Sequence, residues 1–182
     1  SIFYTTDKYT LIKQLTFWLS PTPDRPSKGW DAALNRVCSY GLFKHKKTKK
    51  LLWVFNTHFD HMGKTARLES AKLINQKIKE LNKDNYPVIV TGDFNSKPEE
   101  EPAQYMQSQL QNSRSISQLV YGPADTWNGF KFNQKPDGCI DYIFVSHYKY
   151  LSVSKFATLT DSYDMKYPSD HFPVLATITI DK

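Results

Sequence analysis

Apolar residues recur along this chain with two different periods, which predict where it is helical and where it is extended. Over 64–81 they fall three or four positions apart, the spacing of one stripe of an amphipathic helix. The stripe consists of Ala71, Ile74, Ile78 and Leu81. Runs rich in β-branched and aromatic residues predict strands within 1–20, 35–46, 49–59, 87–95, 137–146 and 173–180. A short helix is predicted over 102–111.

The order of these elements predicts the fold class. The segments 35–46 and 49–59 follow each other closely, as two adjacent strands do, whereas the strand at 87–95 comes only after the long helix. The run Val88–Val90 is continuously apolar, which is typical of a strand buried on both faces. Helices that alternate with strands, mixed with adjacent strands, indicate an α/β sandwich with a mixed sheet. No repeat or glycine-rich linker divides the chain, so we expect one domain over 1–182.

Length and composition exclude several classes of protein. A chain of 182 residues is long enough to bury one core. No apolar run approaches the roughly 20 residues needed to cross a bilayer, and residues 1–10 lack the pattern of a signal peptide. The two cysteines, Cys38 and Cys139, have no metal-binding spacing and leave the compartment open. We therefore expect a soluble monomer without a transmembrane segment.

The charge of the chain favours anionic partners. The formal net charge is +6, and five of the lysines lie in "KHKKTKK" (44–50). This run stands between two predicted strands, so a lysine-rich exposed hairpin turn is the first interpretation and contact with phosphate groups is the second. The sequence contains no long basic helix or arginine-rich stripe, so nucleic acid is favoured only slightly over a small phosphate ester.

Polar residues follow the buried strand in "VIVTGDFNSKPEEEP" (88–102). If the chain stays extended, Asp93 and Asn95 point to the same side and offer a carboxylate and an amide oxygen. Such a pair suits a hard cation with its water. The alternative is that Asp and Asn next to Gly92 simply form a turn. This segment alone does not decide between the two interpretations.

Other predicted strands also carry polar residues that are candidates for chemistry. His58 ends one strand in "NTHFDH" (56–61), and Asp141 lies in the strand "IDYIFVS". Asp170 and His171 directly precede the last strand in "YPSDHFPV". Each could have only a local structural role, but together they supply the oxygen ligands and imidazoles that phosphate-ester hydrolysis on Mg²⁺ or Mn²⁺ requires. We expect these residues to converge in one pocket.

The segments "NTHFDH", "TGDFNSKP", "IDYIFVS" and "YPSDHFPV" resemble, in this order, the signature segments of the endonuclease/exonuclease/phosphatase superfamily, which has the deoxyribonuclease I-like fold. The likeness covers nearly the whole chain and is closest to an uncharacterised bacterial branch. It implies a four-layered αββα sandwich with the site at one edge, where loops from both sheets meet. It also implies a metal-dependent phosphoesterase that uses Mg²⁺ or Mn²⁺.

The resemblance assigns a role to each candidate. Asp93 would position or deprotonate the attacking water, and Asn95 would hold a phosphoryl oxygen or the metal. His171, oriented by Asp141, would contact the phosphate or act as an acid-base group. His58 would donate to a non-bridging oxygen or assist the leaving group.

Two further roles follow from the same likeness. Asp170 would be a carboxylate on the metal side. Arg36 would be a basic residue near the site, unless it only pairs with Asp31 or Asp24. On the loop "DTWNGFKFNQ" (125–134), Trp127 and Phe130 are possible stacking surfaces for substrate, although a packed loop aromatic is the more common role.

The sequence departs from the family pattern in one respect. Family members have an early strand with a metal-adjacent Asn and a later segment with the Glu that is the principal metal ligand, and neither is found in 1–182. We therefore expect the chain to resemble the C-terminal two-thirds of the domain, without its first strands, and to be a weak catalyst by itself. The main alternative is a non-catalytic module that binds phosphate or nucleic acid and has kept the fold.

Overall fold

Nine strands and three helices form within residues 1–181, the part of the chain that the structure, a computed structural model, describes. In chain order they are β1 (Tyr9–Trp18), β2 (Val37–His45), β3 (Leu51–His58), α1 (Lys64–Leu81), β4 (Val88–Asp93), α2 (Glu101–Gln109), β5 (Gln111–Asn112), α3 (Ser113–Ile116), β6 (Leu119–Tyr121), β7 (Asp141–Val145), β8 (Leu151–Thr158) and β9 (Val174–Ile180). None of these helices has the length and apolar character of a membrane span.

The strands form two sheets. The larger has six strands in the order β1-β2-β3-β4-β7-β5, and the smaller has three in the order β6-β8-β9. Within the larger sheet β3 and β4 run parallel and every other pairing is antiparallel. Helix α1 makes the crossover between the two parallel strands, as a parallel pair requires. The α/β sandwich with a mixed sheet, predicted from the sequence, is confirmed.

The main core lies between the larger sheet and the two long helices. On α1 the predicted stripe faces this core, with Ala71 and Ile74 fully buried and Ile78 nearly so. The rings of Phe94, Tyr142 and Phe144 pack against one another at the β4–β7 side of the sheet. Aromatic side chains bury large apolar areas, so this cluster fixes the strands whose ends carry the candidate residues.

Helix α1 begins without a capping side chain of its own, because its N-cap is Gly63. The carboxylate of Asp31 takes that role from a distant loop and accepts the backbone N–H groups of Thr65 and Ala66 at 3.2 and 2.7 Å. A negative charge at a helix N-terminus is favourable. The loop before β2 is thereby tied to the start of α1.

Two predictions from the sequence can be compared directly with the strands. The basic run 44–50 forms the turn of the β2–β3 hairpin, which was the first interpretation. Strand β8 was not predicted. Its pairing with β9 shifts register between Val153 and Lys155, and the buried side chains are Val153, Phe156 and Thr158. The irregularity breaks the period of two by which a strand is recognised in sequence.

The backbones of β3 and β4 come close together next to the candidate residues. Gly92 has a φ of +155°, and a Cβ atom added there would collide with the carbonyl oxygen of Thr57 on β3. Gly138 also has a positive φ, +87°, but its nearest neighbour would be the side chain of Lys97 at an ordinary 3.4 Å. Only the first glycine is required by space as well as by conformation.

Gly92→Ala should therefore cost more stability than Gly138→Ala. We expect a loss of about 1 kcal/mol for Gly138→Ala, from backbone strain alone, and about 3 kcal/mol for Gly92→Ala, where strain and overpacking add. Urea denaturation of the two variants measures both losses. Equal losses would show that the strands separate at Gly92 without penalty.

Candidate active site

Three candidate residues lie side by side because three strands end at the same level. In the parallel β3–β4 pair His58 is opposite Asp93, and in the antiparallel β4–β7 pair Asp93 is opposite Asp141. Neighbouring strands are about 4.8 Å apart, so the side chains of paired residues that share a face are in reach of one another. His58 Nε2 lies 3.2 Å from Asp93 Oδ2. The backbone register thus places Asp93 between the other two.

The chain does not stay extended after Asp93. Asn95 has a φ of +45°, and its backbone N–H donates to Asp93 Oδ1 at 2.8 Å, so this segment forms a turn and is not extended. The turn nevertheless keeps the two side chains together. The Asn95 amide nitrogen donates to the Phe59 carbonyl at 2.9 Å, and no residue in 1–181 donates to its side-chain oxygen. That oxygen remains able to contact a ligand.

His171 joins this group from the loop before β9. Its Nδ1 lies 2.8 Å from Asp141 Oδ2 and its Nε2 lies 3.9 Å from Asp93 Oδ2. Burial by itself lowers the pKa of His171, but the hydrogen bond to Asp141 and the charges of Asp141, Asp93 and Asp170 outweigh it and raise the pKa above its ordinary value of 6.5. The protonated imidazole is favoured, as a phosphate-binding group requires.

Thr126 holds the backbone at Asp141 in place through its side-chain hydroxyl. Its hydroxyl oxygen accepts the backbone N–H groups of Ile140 and Asp141 at 3.1 and 3.2 Å, and its hydroxyl donates to the Gly138 carbonyl at 3.3 Å. Thr126 is 1% exposed. This residue fixes the start of β7, and with it the carboxylate that holds His171.

The loop 125–134 is fastened to the backbone on either side of His171. Trp127 forms an isolated β-bridge with His171, and the N–H groups of Asn128 and Gly129 donate to the Asp170 carbonyl at 2.8 and 3.0 Å. The Trp127 and Phe130 side chains are both exposed. Trp127 is therefore held beside the candidate residues by its backbone, and its ring is accessible.

Arg36 lies apart from the paired carboxylates. Within the described residues its partners are Asp60, with Nε 3.8 Å from Oδ2, and His61, with Nη2 3.4 Å from Nδ1. The alternative that Arg36 pairs with Asp31 or Asp24 is therefore wrong. Asp31 is instead engaged at the start of α1.

The donor set fits a hard divalent cation. One ligand atom each of Asp93, Asp141 and His171 lies within 4.8 Å of the others. Asp141 and His171 are already hydrogen-bonded to each other. The remaining donors are carboxylate oxygens and the free Asn95 oxygen, without cysteine, which are the ligands that Mg²⁺ and Mn²⁺ prefer.

Sequence reasoning missed three residues of this region. Asp60 and His61 stand in the quoted segment "NTHFDH", from which only His58 was taken as a candidate. Asp60 is 1% exposed, and a buried carboxylate cannot be recognised before its distant partners are known. Thr126 gave no signal beyond its position next to Trp127.

Comparison with known proteins decides the family. The model of the Endonuclease/Exonuclease/phosphatase family matches residues 7–171. The chain belongs to this family. Its name covers nucleases and phosphatases, which are enzymes that hydrolyse phosphate esters, so family membership agrees with the imidazoles and carboxylates assembled around Asp93.

Three relatives show how far the likeness reaches. A mannosyl-6-phosphatase of Bacteroides thetaiotaomicron is 42% identical with a TM-score of 0.93, and the match covers 97% of this chain and 69% of that one. The human Nocturnin catalytic domain with a bound sulfate anion is 19% identical with a TM-score of 0.73, covering 98% and 62%, which shows the fold alone. An uncharacterised protein of Acanthamoeba polyphaga mimivirus is 33% identical over 98 residues.

The match with the mimiviral protein covers 52% of this chain and only 36% of that protein. The activity, substrate and partners of the whole protein are therefore matters of proposal. The extent of the domain, and the expectation that a Glu ligand lies outside 1–182, stay predictions.

The raised pKa of His171 predicts a pH-dependent stability. A group whose pKa is higher in the folded than in the unfolded state stabilises the folded protein. This stabilisation is complete at pH values below the unfolded-state pKa and is lost as the pH rises through the folded-state pKa. We expect the free energy of unfolding to fall as the pH rises from 6.5 through the raised pKa of His171. His171→Gln should lack this component. Urea denaturation at a series of pH values in a chelator measures it.

The exposed His147 provides the control, because His147→Gln should keep the pH dependence of the unsubstituted protein. Identical pH profiles for His171→Gln and the unsubstituted protein would contradict the expected charge state of His171.

Proposed function

We propose that the protein is a metal-dependent phosphoesterase that hydrolyses its substrate by attack of water. The observation that carries this proposal is the arrangement around Asp93, with His58 at 3.2 Å on one side and the Asp141–His171 pair on the other. A carboxylate flanked by two imidazoles can orient a water molecule and place cationic donors against a phosphate group.

Each side chain then has a defined task. Asp93 holds or deprotonates the attacking water. His171, kept in position by Asp141, whose carboxylate favours the protonated imidazole, donates from Nε2 to a phosphoryl oxygen. His58, whose side chain is 54% exposed, donates to a non-bridging oxygen or assists the leaving group. The exposure of His58 suits a residue that meets the part of the substrate entering from solvent.

The cation is proposed to be Mg²⁺ or Mn²⁺, held by Asn95 through its free side-chain oxygen and by the Asp170 carboxylate. The Asp170 carboxylate is bonded within 1–181 only weakly, with the Ser169 hydroxyl at 3.5 Å. When bound, such a cation neutralises charge on the phosphoryl oxygens and lowers the pKa of water.

A small phosphomonoester of a sugar is the favoured substrate class. The support is the likeness to a mannosyl-6-phosphatase at 42% identity, together with the absence of an arginine-rich stripe from the sequence. Arg36 and Trp127 are proposed to contact the substrate beyond its phosphate. A nucleic acid or lipid phosphoester is the second candidate, favoured by the net charge of +6.

Asp93→Asn should lower kcat by about 10²–10⁴-fold, the range for loss of a general base, while the fold remains intact. Turnover of para-nitrophenyl phosphate with Mg²⁺ measures the loss. Asp84→Asn is the matched control, because Asp84 is exposed and lies before β4, at the end opposite Asp93. Equal activity of the two variants would remove Asp93 from the mechanism.

Exhaustive chelation should abolish turnover, and either Mg²⁺ or Mn²⁺ should restore it, because a hard cation neutralises charge that the two imidazoles only partly balance. The measurement is turnover of the same aryl phosphate before and after chelation and after each metal is added. Activity that survives chelation would contradict the proposed metal. A folded, metal-binding protein that is inactive on sugar, nucleotide, nucleic acid and lipid phosphoesters would instead support the binding module.

A further inference from the structure

A second polar group, Arg36 with Asp60 and His61, lies beside the site, and of its members only Arg36 has been given a role above, a contact with the substrate beyond its phosphate. We call these three residues the Arg36 cluster. The connection to the site is made by Phe59, whose N–H donates to the Asp93 carbonyl at 2.8 Å and whose carbonyl accepts from the Asn95 amide. The cluster therefore begins one residue beyond the backbone that touches Asp93 and Asn95.

Asp60 is the anchor of the cluster. Oδ1 accepts the N–H groups of Met62 and Gly63 at 2.9 and 2.7 Å, and Oδ2 accepts the N–H of Leu34 at 3.0 Å. Burial by itself raises the pKa of Asp60, but these backbone donors outweigh it and hold the pKa far below its usual range. Asp60 stays ionised and balances the charge of Arg36.

The charges around the cluster also balance. Arg67, which is 6% exposed, donates from Nη1 to the Asp60 carbonyl at 3.2 Å, and the anionic Asp31 lies at the start of α1 beside Gly63. One positive and one negative group are thus added to the pair Arg36–Asp60. Among these four side chains the positive and negative charges are equal, which favours hydrogen bonds to a neutral ligand over a second phosphate.

The hydrogen-bond donors of the cluster are suited to the polar atoms of a neutral ligand. Arginine only donates, so the contact between Arg36 Nη2 and His61 Nδ1 makes Nδ1 the acceptor and leaves the proton of the imidazole on Nε2. His61 is exposed, and the Arg36 side chain is 15% exposed. Within 1–181 Arg36 Nε makes no hydrogen bond, and it is buried 3.8 Å from Asp60 Oδ2. The group is therefore held in place, and the donors left for a ligand lie on the exposed His61 and on the partly exposed Arg36 side chain.

An exposed aromatic residue directly precedes Asp31, the loop residue that lies beside the backbone following the cluster. Trp30 is 36% exposed and has a φ of +42°, which is uncommon for a bulky residue and indicates a loop held under constraint. Asp31, its neighbour in the chain, is in contact with Gly63, which follows the cluster by two positions. An aromatic face together with several hydrogen-bond donors is the usual composition of a site for a sugar ring.

We propose that the Arg36 cluster and Trp30 bind the neutral, polyhydroxylated leaving group of the substrate, a sugar whose hydroxyls accept from Arg36 and His61. Asp60 is a positioning residue that acts through Arg36. This inference rests on the proposed phosphoesterase function and names the part of the site that selects among phosphate esters.

The test compares two substrates that share a phosphate and differ in the leaving group. The two substrates are mannose 6-phosphate, the type of ester named by the Bacteroides relative, and para-nitrophenyl phosphate. The quantity measured is the kcat/KM for the sugar phosphate divided by the kcat/KM for the aryl phosphate. His61→Ala and Arg36→Lys should each lower this ratio about tenfold, the effect of one lost hydrogen bond. His147→Ala, an exposed histidine at the opposite end of β4, should leave the ratio unchanged.

Asp60→Asn tests the positioning role separately. Asp60 touches Arg36 and not the reacting atoms. The substitution Asp60→Asn should therefore raise KM for the sugar phosphate and leave kcat nearly constant. A general loss of folding would not produce this pattern. The inference is overturned if His61→Ala lowers kcat/KM equally for both substrates, or if it changes kcat/KM for neither.

Binding distinguishes this inference from the proposed function. Titration calorimetry with mannose 6-phosphate and with inorganic phosphate should show that His61→Ala weakens only the sugar phosphate. If the protein hydrolyses neither ester but shows this pattern, the subsite stands and the enzymatic proposal falls. If the protein hydrolyses aryl phosphates and His61→Ala does not reduce its preference for the sugar phosphate, the enzymatic proposal stands and the subsite falls. If it neither binds nor hydrolyses, both fall.

Discussion

The register of three adjacent strands determines where the chemistry of this protein lies. Backbone hydrogen bonds place His58 opposite Asp93 and Asp93 opposite Asp141, so the pairing of the strands already brings their side chains together. A shift of one residue in either pairing would turn the side chains to the other face of the sheet. The buried rings of Tyr142 and Phe144 on β7, which pack against Phe94 directly after β4, oppose such a shift, because it would break their contacts. The site is therefore a product of core packing as much as of its own polar contacts.

Close carboxylates have an energetic cost that the histidines offset. Asp93, Asp141 and Asp170 would repel one another if they stood alone, and each raises the pKa of His171. His171 contacts two of them, and His58 contacts Asp93 from the other side. Imidazoles and carboxylates alternate across the site, and although burial raises the pKa of Asp141, its hydrogen bond to His171 acts against that rise.

Local patterns in the sequence were sufficient for much of this structure. The helical period located α1 with its observed bounds, and the short motif segments indicated four residues that meet around Asp93, namely His58, Asn95, Asp141 and His171. These signals are local, because strand period and motif order depend on neighbouring positions. The partner of Arg36 could not be predicted in this way, since its contact with Asp60 depends on how two loops meet. The same holds for Thr126, and the irregular register of β8 concealed that strand.

The two halves of the site belong to parts of the fold with unequal local stability. His58 and Asp93 end strands in the middle of the larger sheet, where Phe55 and Val90 are fully buried. His171 precedes β9, a strand whose side chains are half-buried or exposed and which, within 1–181, pairs only with β8. Segments with few buried contacts open at a lower free energy than the core. On warming, we expect the segment around His171 to unfold locally while most of the secondary structure persists.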